Sequence, residues 1–301
     1  MQDEERQIIV TRSAVIDDAL LRFRDEPWEE RTRTAADQLT AIHGLWWARH
    51  NGNPEAYALD LLNLNKLAGL KGKNAAVATV ERFLIPPKFF GGDPTSLHPD
   101  FVLSVSLNHG TPKGSSPELM DFQEQVSCLK SHRYYFRQTY VYRTFFHFRS
   151  TVLSAYAAAR RLEIPNDWRR INERYALYIE NYPFWSANFS MKSTPALRQR
   201  VEAESFVAAL NRLTRKVVFG LLQPRVILLA GQDTWSLLPR HQPELVSERI
   251  RVDQSCFVEL DRLELIPGAP LSTICRCNFL RTVYGPNSYR ELENLGSLLA
   301  E

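Results

Sequence analysis

The chain has 301 residues, 44% hydrophobic and 24% charged, which is enough for one large domain or two small ones with a sizeable core. Its formal net charge of +3 excludes polyanion binding by bulk charge alone, so such a role needs positive charge gathered on one face. No apolar run reaches the roughly 18 to 20 residues of a bilayer helix, and the opening MQDEERQ is polar and acidic, so a cytoplasmic protein with no membrane partner is expected.

From Ile8 to about Phe83 the apolar residues recur at helical spacing, as in Ile16, Ala19, Leu20 and Phe23, then Leu39, Ile42, Leu45 and Trp46. The segment Pro54 to Gly69 starts with proline and runs into glycine, the asymmetry of a helix start and stop. Prolines and the Gly91-Gly92 pair break any helix between Leu84 and Pro99. A helical N-terminal section, 1–97, and a following section, 98–301, are therefore expected.

Beyond the break, strand-like runs alternate with helical stretches, the pattern of an α/β fold with a largely parallel central sheet covered by helices. The predicted strands are 101–107, 184–189, 226–230, 257–265 and 274–280; helices are predicted over about 117–162 with interruptions, 167–180, 195–221, 233–238 and 288–299. No repeat of 20 to 50 residues marks a solenoid.

Phe101 to Gly114, FVLSVSLNHGTPKG, reads as a buried strand that stops in a polar loop. In an open α/β sheet ligands sit beyond the carboxyl ends of strands, which places Asn108 and His109 where chemistry is expected. Ser131 to Ser150 interleaves Arg133, Arg137, Arg143 and Arg149 with tyrosines and phenylalanines. Two readings stay open there: a nucleic-acid groove of phosphate-binding arginines and base-stacking rings, or a core helix with snorkelling arginines. Asn188, late in its predicted strand, offers the donor and acceptor that a nucleobase edge requires; an asparagine bonding backbone at a strand end is the alternative.

Pro224 to Trp235 is a second strand-loop-helix unit, in which Asp233 reads as a base or as a helix N-cap. After the last predicted strand, Arg276, Arg281 and Arg290 surround a loop with Tyr284 and Gly285, suited to a phosphate backbone or to a turn capped by Asn287 or Ser288. Four cysteines, Cys128, Cys256, Cys275 and Cys277, read as reduced thiols. Cys275 and Cys277 are expected on opposite faces of a strand and hence to be poor partners for one metal ion, so no metal or other cofactor is expected.

With these loops in place, residues 98–300 resemble the uracil-DNA glycosylase superfamily, nearest to its single-strand-selective and mismatch-specific branches. VSLNHGTPKG supplies Asn108 and Gly110 in the setting of the family's Asn-Pro-Gly motif, with His109 in place of the proline. Asn188 matches by position an asparagine that reads the base in some branches. Pro224 to Gly231 looks like a later family strand, and Asn278 falls at the closing motif. A competing register matches Gly231-Gln232-Asp233 to the Gly-Gln-Asp of another branch, which keeps Asp233 as a candidate.

The resemblance implies a monomeric DNA glycosylase that flips uracil, or a hydroxymethylated or glucosylated cytosine, and hydrolyses its N-glycosidic bond, in repair or in defence against phage. Asn108 and His109 would orient water, Asn188 contact the base, Phe122 stack on it, and Arg281 and Tyr284 press on the DNA. Two alternatives remain: a non-catalytic nucleic-acid-binding protein on the same fold, and a nucleotide- or sugar-processing α/β enzyme.

Overall fold

The computed structural model describes residues 2–50, 89–106, 109–110, 136, 143–180, 185–186, 206–238, 248–253, 256–265, 267, 269–278, 286 and 288–301. The N-terminal apolar spacing forms two helices, α1 (Asp3–Phe23) and α2 (Trp28–His50). Acidic residues crowd the first turn of α1, where the helix dipole favours them, and Gln2 N–H donates to Glu5 Oε2 at 2.8 Å. The helix expected over 54–69 lies outside the described residues.

Among the described residues seven strands form the main sheet: β1 (Phe90–Gly91), β2 (Val102–Ser106), β4 (Ala176–Glu180), β6 (Val226–Ala230), β7 (Glu248–Asp253), β8 (Cys256–Leu263) and β9 (Ser272–Cys277). Their spatial order is β1-β4-β2-β6-β9-β8-β7. The α/β class stands, but the expectation of a largely parallel sheet is corrected to a mixed one. The four middle strands run parallel, whereas β1, β8 and β7 pair antiparallel at the margins. Chain connection explains the difference, because β7, β8 and β9 follow one another through short links, and hairpin-linked strands can pair only antiparallel.

The other helices are α3 (Arg143–Ala159), α4 (Trp168–Tyr175), α5 (Phe206–Val217) and α6 (Tyr289–Leu298). A π-helical turn, Val218–Leu222, continues α5, and Ser288 caps α6 by accepting from Glu291 N–H at 3.1 Å. The helix expected over 167–180 is a correction: helix ends at Tyr175, and 176–180 is the strand β4. Of the strand expected over 184–189, the described residues form β5 (Trp185–Ser186), which pairs in parallel with β3 (His109–Gly110) in a separate two-stranded sheet.

Alternation along the strands sorts side chains to two faces. Leu103, Val105, Leu177, Ile179, Ile227 and Leu229 pack under α1, α2 and α5, in one core with Ile16, Leu39, Ile42, Trp46 and Leu210. Val102, Tyr178, Val226, Leu228, Cys275 and Cys277 pack under α3, α4 and α6, with Val152, Tyr156, Leu292 and Leu295. The N-terminal helices thus share the sheet's core, and Trp28 Nε1 donates to Leu97 O at 2.8 Å while Arg31 Nε donates to Leu221 O at 2.7 Å. Cys275 and Cys277 lie on one face, not two, since residues two apart on a strand point the same way. Both are buried thiols, and among the described residues no group of three His, Cys, Asp or Glu is placed to hold a metal ion. No described helix is long and apolar enough to cross a membrane.

Candidate functional site at the carboxyl ends of the parallel strands

From β2 the chain crosses through α3 and α4 to β4 on one side; from β4 it returns through α5 to β6 on the other side of β2. Connections leaving β2 and β6 therefore diverge, and the crevice beyond their carboxyl ends is a topological switch point, the usual ligand position in open α/β sheets. All four middle strands are parallel, so the segments following Ser106, Glu180, Ala230 and Cys277 leave the sheet at one edge.

Among the described residues, His109, Asp233 and Asn278 lie on segments that leave the sheet at that edge. His109 lies in β3, three residues past the end of β2, and its pairing with Trp185 sets the segment after β2 beside the segment after β4. Asn108 and Asn188 flank the two paired segments and are themselves outside the described residues, as are Phe122, Arg133, Arg137, Arg281 and Tyr284. Beyond β6, Gly231 adopts φ +97°, a left-handed value that favours glycine, and caps a 3-10 helix over Gln232–Leu237. Asp233 is the second residue of that helix, which corrects its reading as the N-cap. Gly231 N–H donates to Cys277 O at 2.9 Å and Trp235 Nε1 to the same oxygen at 3.2 Å, fastening this loop to the end of β9, where Asn278 follows.

Beneath the edge lies a buried polar cluster of which sequence patterns marked only Arg149, as part of the basic-aromatic run. Arg149 of α3 is 2% exposed; its Nη2 donates to Ser106 Oγ at 3.0 Å, and its guanidinium lies 5.1 Å from the centre of the Tyr178 ring. Glu180 is 4% exposed and pairs in register with Ser106 across β4 and β2. Burial lowers the Arg149 pKa from its ordinary value, while Tyr178, Glu180 and Cys277 oppose the shift electrostatically. Burial also drives the Tyr178 pKa upward, against the pull of Arg149.

Neighbouring helices fix this cluster in place. Tyr178 donates its hydroxyl to Asn172 Oδ1, and Asn172 Nδ2 donates to Phe146 O at 3.1 Å and to Trp168 O at 2.7 Å. From the opposite face, Asn211 Nδ2 donates to Glu180 O at 3.1 Å. Phe146 meets the Tyr178 ring edge-on at 4.9 Å. The described part of the basic-aromatic run is thus a core helix, and Arg149 is buried rather than snorkelling.

Arg276 is also withdrawn from any phosphate-binding role. It is 2% exposed, donates Nη2 to Leu238 O at 3.2 Å, and faces Asp261 Oδ2 at 3.5 Å. The strand-end reasoning that singled out Asn188 moves to a new residue once β4 is placed. Asn181 directly follows Glu180, the last residue of β4, in the sequence; it lies outside the described residues. Comparison with protein-family models, curated proteins and solved structures finds no match to this chain.

Proposed function

We propose that the chain is a DNA glycosylase whose active site occupies the crevice beyond β2, β4, β6 and β9. The observation that carries this reading is the pairing of His109–Gly110 with Trp185–Ser186, which brings the segment after β2 beside the segment after β4 at a switch point. Cleaving an N-glycosidic bond sends the bonding electron pair to the departing base and leaves an oxocarbenium-like sugar, which water captures at the anomeric carbon. A site for this reaction must position water and favour separated charge.

Asn108 and His109 are assigned to the water, and Asn181 or Asn188 to an edge of the flipped base, where an amide supplies both donor and acceptor. Phe122 stacks on the base. Arg133, Arg137, Asn278, Arg281 and Tyr284 face the DNA, and Asp233 is the lesser candidate for proton transfer. The test is to incubate the protein with single- and double-stranded DNAs carrying uracil, 5-hydroxymethylcytosine or its glucoside and to assay for abasic sites. Site formation in one lane supports the reading; none in any lane, with intact DNA throughout, removes it.

A further inference from the structure

We infer that the chain binds a small sugar phosphate in a cavity at the amino ends of β2, β6 and β9, at the opposite edge of the sheet from the candidate active site. The inference stands on its own geometry and not on the glycosylase reading. A cavity of about 300 Å³ opens there, where α3 and α6 end. Tyr156 of α3, Arg160 just past its end, Arg225 before β6, Arg262 of β8 and the apolar Leu271 and Leu299 line it.

Strand register brings the arginines together. Thr273 pairs with Arg262 on one side and Val226 on the other, and its N–H donates to Arg225 O at 2.7 Å. Arg262 stands two residues after Leu260, which packs in the core under α3 and α6, so alternation turns both side chains to that face. The position belongs to the core by its direction, yet Arg262 is exposed at the cavity.

The charges there do not balance among themselves. Arg160 Nη2 and Arg225 Nη1 both donate to one oxygen, Asp100 Oδ1, at 3.1 and 3.2 Å. Among the described residues the Arg262 guanidinium has no acidic partner, and Glu301, at the rim, makes no ion pair with any of the three arginines. An anion in the cavity supplies the missing charge, and guanidinium forks fit phosphate oxygens through paired N–H bonds.

Tyr156 points to the same ligand independently. The residue is 1% exposed, yet its hydroxyl has no hydrogen-bond partner among the described residues, and buried tyrosine hydroxyls ordinarily find one. Burial, aided by Asp100 and opposed by Arg160 and Arg225, pushes its pKa up to about 12, so the group is a donor at neutral pH. The volume is at the lower end for ligand sites, which suits a phosphate on a small body rather than a whole nucleotide. Leu271 and Leu299 suit the apolar face of a sugar ring, and the last carbonyls of α6 are acceptors for its hydroxyls.

The test is isothermal titration calorimetry of the full chain with ribose 5-phosphate, beside ribose and inorganic sulfate, at low salt. Wild type is expected to bind ribose 5-phosphate at one saturable site, sulfate more weakly and ribose not measurably. Arg262→Gln should weaken the sugar phosphate by on the order of tenfold, and Tyr156→Phe by about threefold or more. Neither change removes a side-chain bond made within the described chain, so both variants should melt as wild type does. Arg161→Gln, at an exposed arginine outside the cavity, should leave binding unchanged.

No saturable binding by wild type overturns the inference and needs no variant to fold. Equal affinity for sulfate also overturns it, as an adventitious ion only. Wild-type affinity in both Arg262→Gln and Tyr156→Phe, or equal weakening by Arg161→Gln and Arg262→Gln, removes the site. Abasic sites play no part in these readouts, so this inference and the glycosylase reading fail separately.

Discussion

Replacing Arg149 by methionine perturbs the cluster under the site most directly. The side chain is buried, and its removal deletes a hydrogen bond to Ser106, the contact with Tyr178 and a favourable electrostatic interaction with the buried Glu180. A hydrogen bond from a charged donor contributes about 1.5 to 3 kcal/mol, and removing one of two electrostatically coupled buried charges costs about 3 to 5 kcal/mol in total. The expected loss in the free energy of unfolding, read from urea titrations at pH 7, is therefore about 3 to 5 kcal/mol. Glu180→Gln alone should also lose stability, because it removes one of the charges that favour the buried guanidinium. The double variant should recover most of the loss, since two neutral side chains of similar volume carry no buried charge. Strict additivity of the two single losses in the double variant would refute the coupling of Arg149 and Glu180.

Three further outcomes are expected. Burial between Trp46 and Phe89 lowers the His43 pKa from 6.5 to about 4, so between those values the unfolded chain binds a proton that the folded chain refuses. Stability is then full above pH 6.5 and falls by about 3 kcal/mol by pH 4, and His43→Phe should flatten this part of the pH–stability curve measured by thermal melting. A Cβ on Gly296 would stand 2.2 Å from Val152 O and 2.7 Å from Ala155 Cβ, so Gly296→Ala should force α3 and α6 apart and cost about 1 to 3 kcal/mol in urea titrations. At Gly44 in α2 nothing lies within 4 Å of an added Cβ, and Gly44→Ala should raise stability by roughly 0.5 to 1 kcal/mol in the same assay.

Strands bounded by clear turn signals were legible in the sequence. The apolar runs ending at Ser106, Ala230 and Cys277 lie within a few residues of their expected places, and Ser288 caps the last helix, as one of its two candidate residues. β4 was hidden for a physical reason: no glycine or proline separates it from α4, and Ile171, Tyr175, Tyr178 and Ile179 continue a helical spacing across the junction. Only the turn to extended backbone at Ala176, φ −140° and ψ 137°, ends the helix. Glu180 was lost with it, since a glutamate in a helix reads as a solvated charge.

The antiparallel margin was obscured in a similar way. β7, ERIRVD, is two-thirds charged, and its pairing with β8 depends on a hairpin rather than on an apolar signature. Arg149 followed the helical spacing of its neighbours, and burial of a guanidinium at a strand end is decided by tertiary packing, with Ser106 and Tyr178 arriving from distant sequence. β3 with β5 sets the segments after β2 and β4 side by side through a pairing too short to read from sequence, and Asn108 and Asn188 themselves lie outside the described residues.

The glycosylase assignment meets its most direct test in Asn108→Ala, compared with wild type by single-turnover base release and by DNA binding on the same modified strand. The account predicts that release falls by two orders of magnitude or more (~10²-fold, the scale of losing a group that acts on the transition state) while binding stays within about threefold. Unchanged release by Asn108→Ala would contradict it.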